Sequence, residues 1–201
     1  VHLTGGVAAL VGAYMVGPRL GKYGEDGKPR AIPGHNVGFA VIGVFILWFG
    51  WFGFNAGSAY AADNTAAIAA TNTLLATCAA GLAWLIVEKI RDKKATSLGA
   101  ASGIVAGLVA ITPACANVTP MGAILLGLVA GAVCAWAVTL KYKLGFDDSF
   151  DVVGIHLVGG LVGTLALGFL ASDLVEEGGQ NGLLYGGDLN LLIVQIIAAA
   201  G

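Results

Sequence analysis

The chain has 201 residues, of which 57% are hydrophobic and 11% charged, with a formal net charge of -2 and a mean hydropathy of +0.85. Soluble domains carry about 25% charged residues, so this composition excludes an ordinary soluble domain and predicts an integral membrane protein. The near-neutral charge gives no reason to expect nucleic acid as a partner, because the basic residues that exist are explained by membrane topology.

In chain order, apolar stretches approaching the roughly 20 residues of a spanning helix cover 1–16, 37–61, 65–87, 98–115, 121–140, 152–171 and 189–201. The first and last are expected to be cut short, so the sequence reads as a piece of a longer chain. All 10 Lys and Arg fall in three linkers. These hold Arg19, Lys22, Lys28 and Arg30; then Lys89, Arg91, Lys93 and Lys94; then Lys141 and Lys143. The alternate linkers, around Asp63, Asn117 and 173–188, hold none. The positive-inside rule makes the basic linkers cytoplasmic and puts Asp173, Glu176, Glu177 and Asp188 outside.

The 32 glycines include small-xxx-small runs at Gly99/Gly103/Gly107, Gly53/Gly57, Gly127/Gly131 and Gly159/Gly163. Such runs let helix backbones approach closely in a membrane. Pro113 and Pro120 bracket an external turn. Cys78, Cys115 and Cys134 lie in apolar segments without C-x-x-C spacing, so they read as small buried hydrophobes rather than a disulfide framework or a metal site.

Five features are candidates for chemistry. His2-Leu3-Thr4-Gly5-Gly6 and His156-Leu157-Val158-Gly159-Gly160 put histidines in matching apolar contexts, as equivalent positions of two repeated halves would. An ionisable residue at bilayer depth usually faces protein or a water path. The pair could be lone core histidines, axial ligands of a haem, or two imidazoles facing each other in a dry lumen, one donating and one accepting. The stripe Trp51, Phe54, Ser58 follows helical spacing. It could bind a small protonated amine, since aromatic faces attract cations, or it could be an interfacial aromatic belt. Asp151 opens the His156 helix, where a carboxylate can cap free amides or support the histidine site indirectly. The segment containing Asp147 and Asp148 precedes it. His35, in the first charged linker, reads as solvated.

These residues also carry a resemblance. Trp51-Phe52-Gly53-Phe54-Asn55-Ala56-Gly57-Ser58, Gly107-Leu108-Val109-Ala110-Ile111-Thr112-Pro113-Ala114-Cys115, Asp147-Asp148 and Asp151-Val152-Val153-Gly154-Ile155-His156 resemble motifs of the ammonium transporter/Rhesus (Amt/Mep/Rh) family, most closely its bacterial branch. Val1-His2 resembles the end of that family's fifth-helix motif. The resemblance implies an all-α polytopic membrane helix bundle, residues 1–201 forming part of an eleven-helix fold with inverted repeats, from the fifth helix into the eleventh. The second gate phenylalanine, an external tryptophan and an aspartate ahead of Val1-His2 would belong to segments outside this sequence.

What the resemblance implies for function is specific. His2 and His156 would line a pore for ammonium or ammonia, and Phe54 would close its outer end. Ser58, Trp51 and Thr112 would form the external substrate site, with Asp151 and Asn55 as structural support. No catalytic residue, metal or cofactor is expected, and the protein would not be an enzyme. Membrane lipid, a homotrimer in the inner or plasma membrane and a PII-type signalling protein on the cytoplasmic face are the implied partners. The alternatives are a bis-histidine haem-binding membrane electron carrier and an ammonium sensor with little flux.

Overall fold

The computed structural model describes residues 1–175 and 178–201. Glu176 and Glu177, assigned above to an external acidic linker, lie outside the described residues. The helices are α1 (His2–Val16), α2 (Val37–Asn55), α3 (Asn64–Arg91), α4 (Ser97–Ile111), α5 (Pro120–Ala137), α6 (Leu140–Leu144), α7 (Val158–Leu170) and α8 (Leu189–Ala200). Among the described residues only isolated bridges, Tyr23 with Pro29 and Val118 with Ala171, interrupt an all-α architecture. Val37–Ala59, Asn64–Arg91, Pro120–Leu144 and Val153–Leu170 are long and apolar enough to cross a membrane; His2–Val16, Ser97–Ile111 and Leu189–Ala200 are shorter apolar helices.

Side chains in the linkers start the helices. Asn36, Asp63, Thr96, Thr119 and Asp188 each accept a hydrogen bond from a first-turn amide, removing one of the donors a helix leaves unpaired. Pro120 follows its cap at a position where no amide is needed. The α4 helix ends at Ile111, shorter than the apolar stretch 98–115: Thr112 still has helical backbone, but Pro113 after it offers no amide to continue the hydrogen-bond ladder. The stretch 37–61 likewise divides. Regular helix stops at Asn55 and a tighter 3-10 turn, Ala56–Ala59, carries the chain to Ser58.

The centre of the bundle is α3 packed on both α4 and α5. On α3, Ala76 and Ala80 form the seam. Gly107 of α4 and Gly127 and Gly131 of α5 all lie against the backbone of these two alanines, so closely that an added Cβ would overlap it. Gly163 carries α7 onto the Ala110 carbonyl of α4 in the same way. Absence of side chains here lets dispersion act between backbones. Gly53 and Gly57 differ: each faces open space, so their spacing does not mark a helix contact among the described residues. Gly99 meets the Glu88 carboxylate rather than a helix backbone. That carboxylate accepts the Thr96 amide at 2.9 Å and so holds the α3–α4 turn.

The basic linkers gather at one end. Arg19 and Asp147, 128 residues apart, form a forked pair at 2.7 and 2.9 Å, and Tyr23 donates to the Phe146 carbonyl at 3.0 Å. Arg91 donates to the Ala135 carbonyl near the end of α5. At the other end, buried Asn72 donates to the carbonyls of Cys115 (2.8 Å) and Val118 (2.6 Å), and Ser172 donates its amide to Asn117 at 2.9 Å. Cys115 and Cys134 are buried, whereas Cys78 is exposed on α3, which corrects the expectation that all three are buried. Its position in the helix turns it away from the α4 and α5 seam. His35 is exposed.

Candidate functional site

Two histidines separated by most of the chain meet because their helices cross at glycines. Gly6 of α1 sits against Leu157, and Gly160 of α7 sits against His2 and Leu3; a Cβ on either would come within 2.5 Å and 2.7 Å of the facing backbone. The contact is reciprocal. In each His-Leu-x-Gly-Gly segment the last glycine touches the leucine of the other. This brings the His2 and His156 rings to a centroid separation of 5.7 Å at 32°. The rings are in contact, though no direct hydrogen bond joins them among the described residues. The neighbour of His2 sets this tilt, since its ring stacks at 18° on Trp51 with centroids 5.2 Å apart.

Phe54 extends the run of rings, 5.8 Å from His2 and 5.1 Å from Trp51. Trp51 is buried and donates from its indole to the Thr112 hydroxyl at 3.0 Å, while Thr112 donates to the Leu108 carbonyl at 2.7 Å. That chain of bonds fixes the indole, and the indole fixes His2. Ser58 donates to the Phe54 carbonyl at 2.6 Å. Its proton is thereby committed, and its lone pairs remain available to an N–H donor. Asn55 is buried and donates to Thr73 at 2.9 Å; Thr73 donates onward to the Ala69 carbonyl at 2.6 Å.

An open pocket with about 680 Å³ of free space lies on Phe54, Asn55, Ser58, Thr65, Thr112 and Cys115. No charged side chain lines it. A second hollow lies beside it, against His2, Thr112, Pro113, Gly160 and Thr164. Phe54, Ser58 and Thr112 therefore share one concavity, Thr112 borders both hollows, and Trp51 stands behind as support. The arrangement offers a cation aromatic faces and hydroxyl oxygens with no charged side chain among them.

Asp151 behaves differently from the capping expectation. The amides of Val152 and Val153 are taken by the Asp148 carboxylate, at 3.0 and 2.7 Å. The His156 helix then starts with an ordinary turn, the Ile155 amide donating to the Asp151 carbonyl at 2.8 Å, and passes into a π-helical turn over Val153–Leu157. Asp151 instead pairs with Lys141 at 2.5 Å, and its backbone is left-handed at φ 58. Burial pushes the Asp151 carboxyl above the ordinary carboxylate range, and Lys141 opposes that shift. Asp147 is held down to about 2, chiefly by its hydrogen bonds with Arg19.

Sequence reasoning overlooked Asn72, Thr73 and Lys141. The adjacent Asn72 and Thr73 are polar residues inside an apolar span, which is itself a signal of an interior position. Lys141 gave none, because topology alone accounts for a lysine at a membrane end.

The model of the Ammonium Transporter Family matches residues 1–201. An ammonium transporter of Mycobacterium tuberculosis is 52% identical over 204 residues, covering 99% of this chain and 42% of the relative. One from Bacillus subtilis is 46% identical over 201 residues, covering 100% and 48%. Among solved structures, Saccharomyces cerevisiae Mep2 superposes with a TM-score of 0.85 at 37% identity, covering 99% of this chain and 46% of that one. A structure described as a sensor Amt protein gives 0.86 at 36%, covering 99% and 49%. The chain spans about half the length of the curated relatives it matches.

Proposed function

This chain belongs to the ammonium transporter family and is a multi-pass membrane protein, and on that premise we propose that it contributes His2 and His156 to the lining of a pore conducting ammonium or ammonia. The observation that carries this reading is the unbroken run of rings from His156 through His2 to Phe54, ending at the pocket on Ser58 and Thr112. The likeness to relatives named ammonium transporters supports the choice of substrate.

The physics of the substrate fits the residues. Moving a bare cation into a low-dielectric medium has an idealised cost of order 20 kcal/mol. Ammonium lowers that cost by leaving a proton behind, which potassium and sodium cannot do. In this reading the cation rests outside Phe54 against Ser58, with Trp51 and Thr112 shaping the site. It then gives up a proton to the water outside the pocket, and ammonia passes Phe54 to the imidazole pair. Each imidazole offers ammonia a donor or an acceptor without placing a charge in the membrane. Asn55 and Asp151 support the site without touching substrate. The remaining expectations belong to the same proposal: a transporter with no catalytic chemistry, a homotrimer in the plasma or inner membrane, and a PII-type partner on the basic face.

The crossing of α1 and α7 weighs against a bis-histidine haem. Gly6 and Gly160 bring the two backbones into direct contact, and the imidazole rings lie 5.7 Å apart between centroids, an approach that disfavours a flat macrocycle between them. The test is uptake by the full-length protein in proteoliposomes. Ammonium-dependent flux that excludes potassium supports a conducting pore. Saturable ammonium binding without flux would make the protein a sensor and overturn this reading.

A further inference from the structure

The start of the His156 helix is built unusually, and one lysine holds it together. Lys141 is buried, and its ammonium reaches both the Asp148 carbonyl, at 2.7 Å, and the Asp151 carboxylate, at 2.5 Å. Between those contacts the chain passes through Asp151 in the left-handed region, which side-chain-bearing residues adopt only with support. Directly afterwards the Asp148 carboxylate takes the amides of Val152 and Val153, and the π-helical turn Val153–Leu157 begins. Gly154 within that turn lies against Val138 at the end of α5. Beyond it α7 is fixed by Gly163 on Ala110.

A π turn accommodates an extra residue in the helix. If it relaxed to α-helix while α7 stayed anchored, the residues ahead of α7 would rotate by up to about 100°, the turn per residue of an α-helix. His156 lies among them. Its approach to His2 therefore depends on the turn, and the left-handed Asp151 lies two positions ahead of that turn.

We propose that Lys141 is a positioning residue for His156: by clamping Asp148 and Asp151 it holds the left-handed backbone that opens the π turn. The functional consequence rests on the pore reading given above, whereas the structural one stands independently of it. Lysine suits the task. Its compact ammonium can satisfy a carbonyl and a carboxylate a few residues apart, and the residue as a whole is buried. Tyr142 adds a ring face 5.3 Å from the same ammonium.

The test separates backbone clamping from simple charge balance. In the full-length protein, Lys141→Met should disrupt the turn, and a structure should show the His2 and His156 rings parting from 5.7 Å to beyond about 7 Å, well past hydrogen-bond reach. Discrimination between ammonium and potassium should fall with it. Two double variants follow. Lys141→Met with Asp151→Gly removes the buried carboxylate and supplies a residue that takes positive φ freely. Lys141→Met with Asp151→Ala removes the same charge but keeps the strain. The proposal requires the glycine variant to restore the ring contact and the alanine variant to fail. Equal rescue by both would mean that Lys141 only balances charge, and the proposal would be overturned. Rescue by neither, whether through misplacement or failure to fold, would overturn it as well, as would intact ring contact in Lys141→Met. A protein whose rings part as described but which never conducts ammonium would refute the pore reading and leave the clamp standing.

Discussion

The two ends of the bundle are held by different chemistry. At the basic end, ions do the holding: Arg19 forks onto Asp147, Lys141 clamps Asp151, and the Asp148 carboxylate caps the π turn. At the opposite end, among the described residues, carboxylates serve only as the local helix caps Asp63 and Asp188, and neutral bonds join the segments. Asn72 ties the carbonyls of Cys115 and Val118, Trp51 reaches Thr112, Asn55 reaches Thr73, and the hydroxyls of Thr119 and Tyr185 lie 2.8 Å apart. The difference teaches what each end can do. A charged clamp sets backbone geometry firmly, as the His156 turn requires. A neutral framework leaves hydroxyl oxygens facing a pocket that no charged side chain lines.

The strongest way to break this comparison is to remove the ionic cap. Asp148→Ala leaves two helix amides unpaired and should destabilise the full-length protein by roughly 2–4 kcal/mol, given about 1.5–3 kcal/mol for each hydrogen bond to a charged group and partial relief by water. Thermal unfolding in detergent would read it, and a loss under about 0.5 kcal/mol would mean that the cap is dispensable. On the neutral side, Asn72→Ala strands two buried carbonyls. It should cost roughly 1–3 kcal/mol, the penalty range for buried groups left unsatisfied, by the same assay. An unchanged midpoint would show that water replaces Asn72 without loss.

Smaller effects sharpen the contrast. Ser58→Ala should leave folding intact and weaken external ammonium binding by about 0.5–1.5 kcal/mol, the net worth of one hydrogen bond. Unchanged ammonium affinity would remove Ser58 from the site. The Arg19–Asp147 pair should show the smallest effect, because the arginine side chain is 45% exposed and screened pairs of that kind contribute about 0.2–1 kcal/mol. Its sign follows from a carboxyl depressed on folding. The contribution is complete above the unfolded value of about 3.9 and disappears as pH falls towards 2. Comparing Asp147→Asn with the parent from pH 6 to pH 2 checks it: the gap should close on acidification, and a constant gap would mean that charge is not involved.

Much of this was legible in the sequence, for identifiable reasons. The alternation of linkers with and without Lys and Arg predicts a helical topology, and Arg19 meeting Asp147 places the first and third basic linkers together as that alternation requires. The two His-Leu-x-Gly-Gly segments announced the crossing of α1 and α7, since glycine there permits backbone contact. Other features depend on which faces meet. Gly53/Gly57 and Gly127/Gly131 have the same spacing, yet only the second pair finds a partner helix, on Ala76 and Ala80. Asp147, Asp148 and Asp151 look interchangeable as caps. In the fold the cap falls to Asp148, while Asp151 pairs with Lys141 and Asp147 with Arg19. Nothing local in a sequence announces an extra residue in a helical turn.

The central claim is that a pair of uncharged imidazoles, His2 and His156, passes ammonia while giving potassium neither charge nor a cage of oxygens. The direct measurement is a paired recording of ammonium and potassium currents, or of their uptake, in the full-length parent and in His156→Asp. A carboxylate at that depth is a potential anion beside His2. The account predicts a variant that still conducts ammonium but admits potassium more readily. If it folds, conducts ammonium and rejects potassium as strongly as the parent, neutral histidines are not the basis of selectivity.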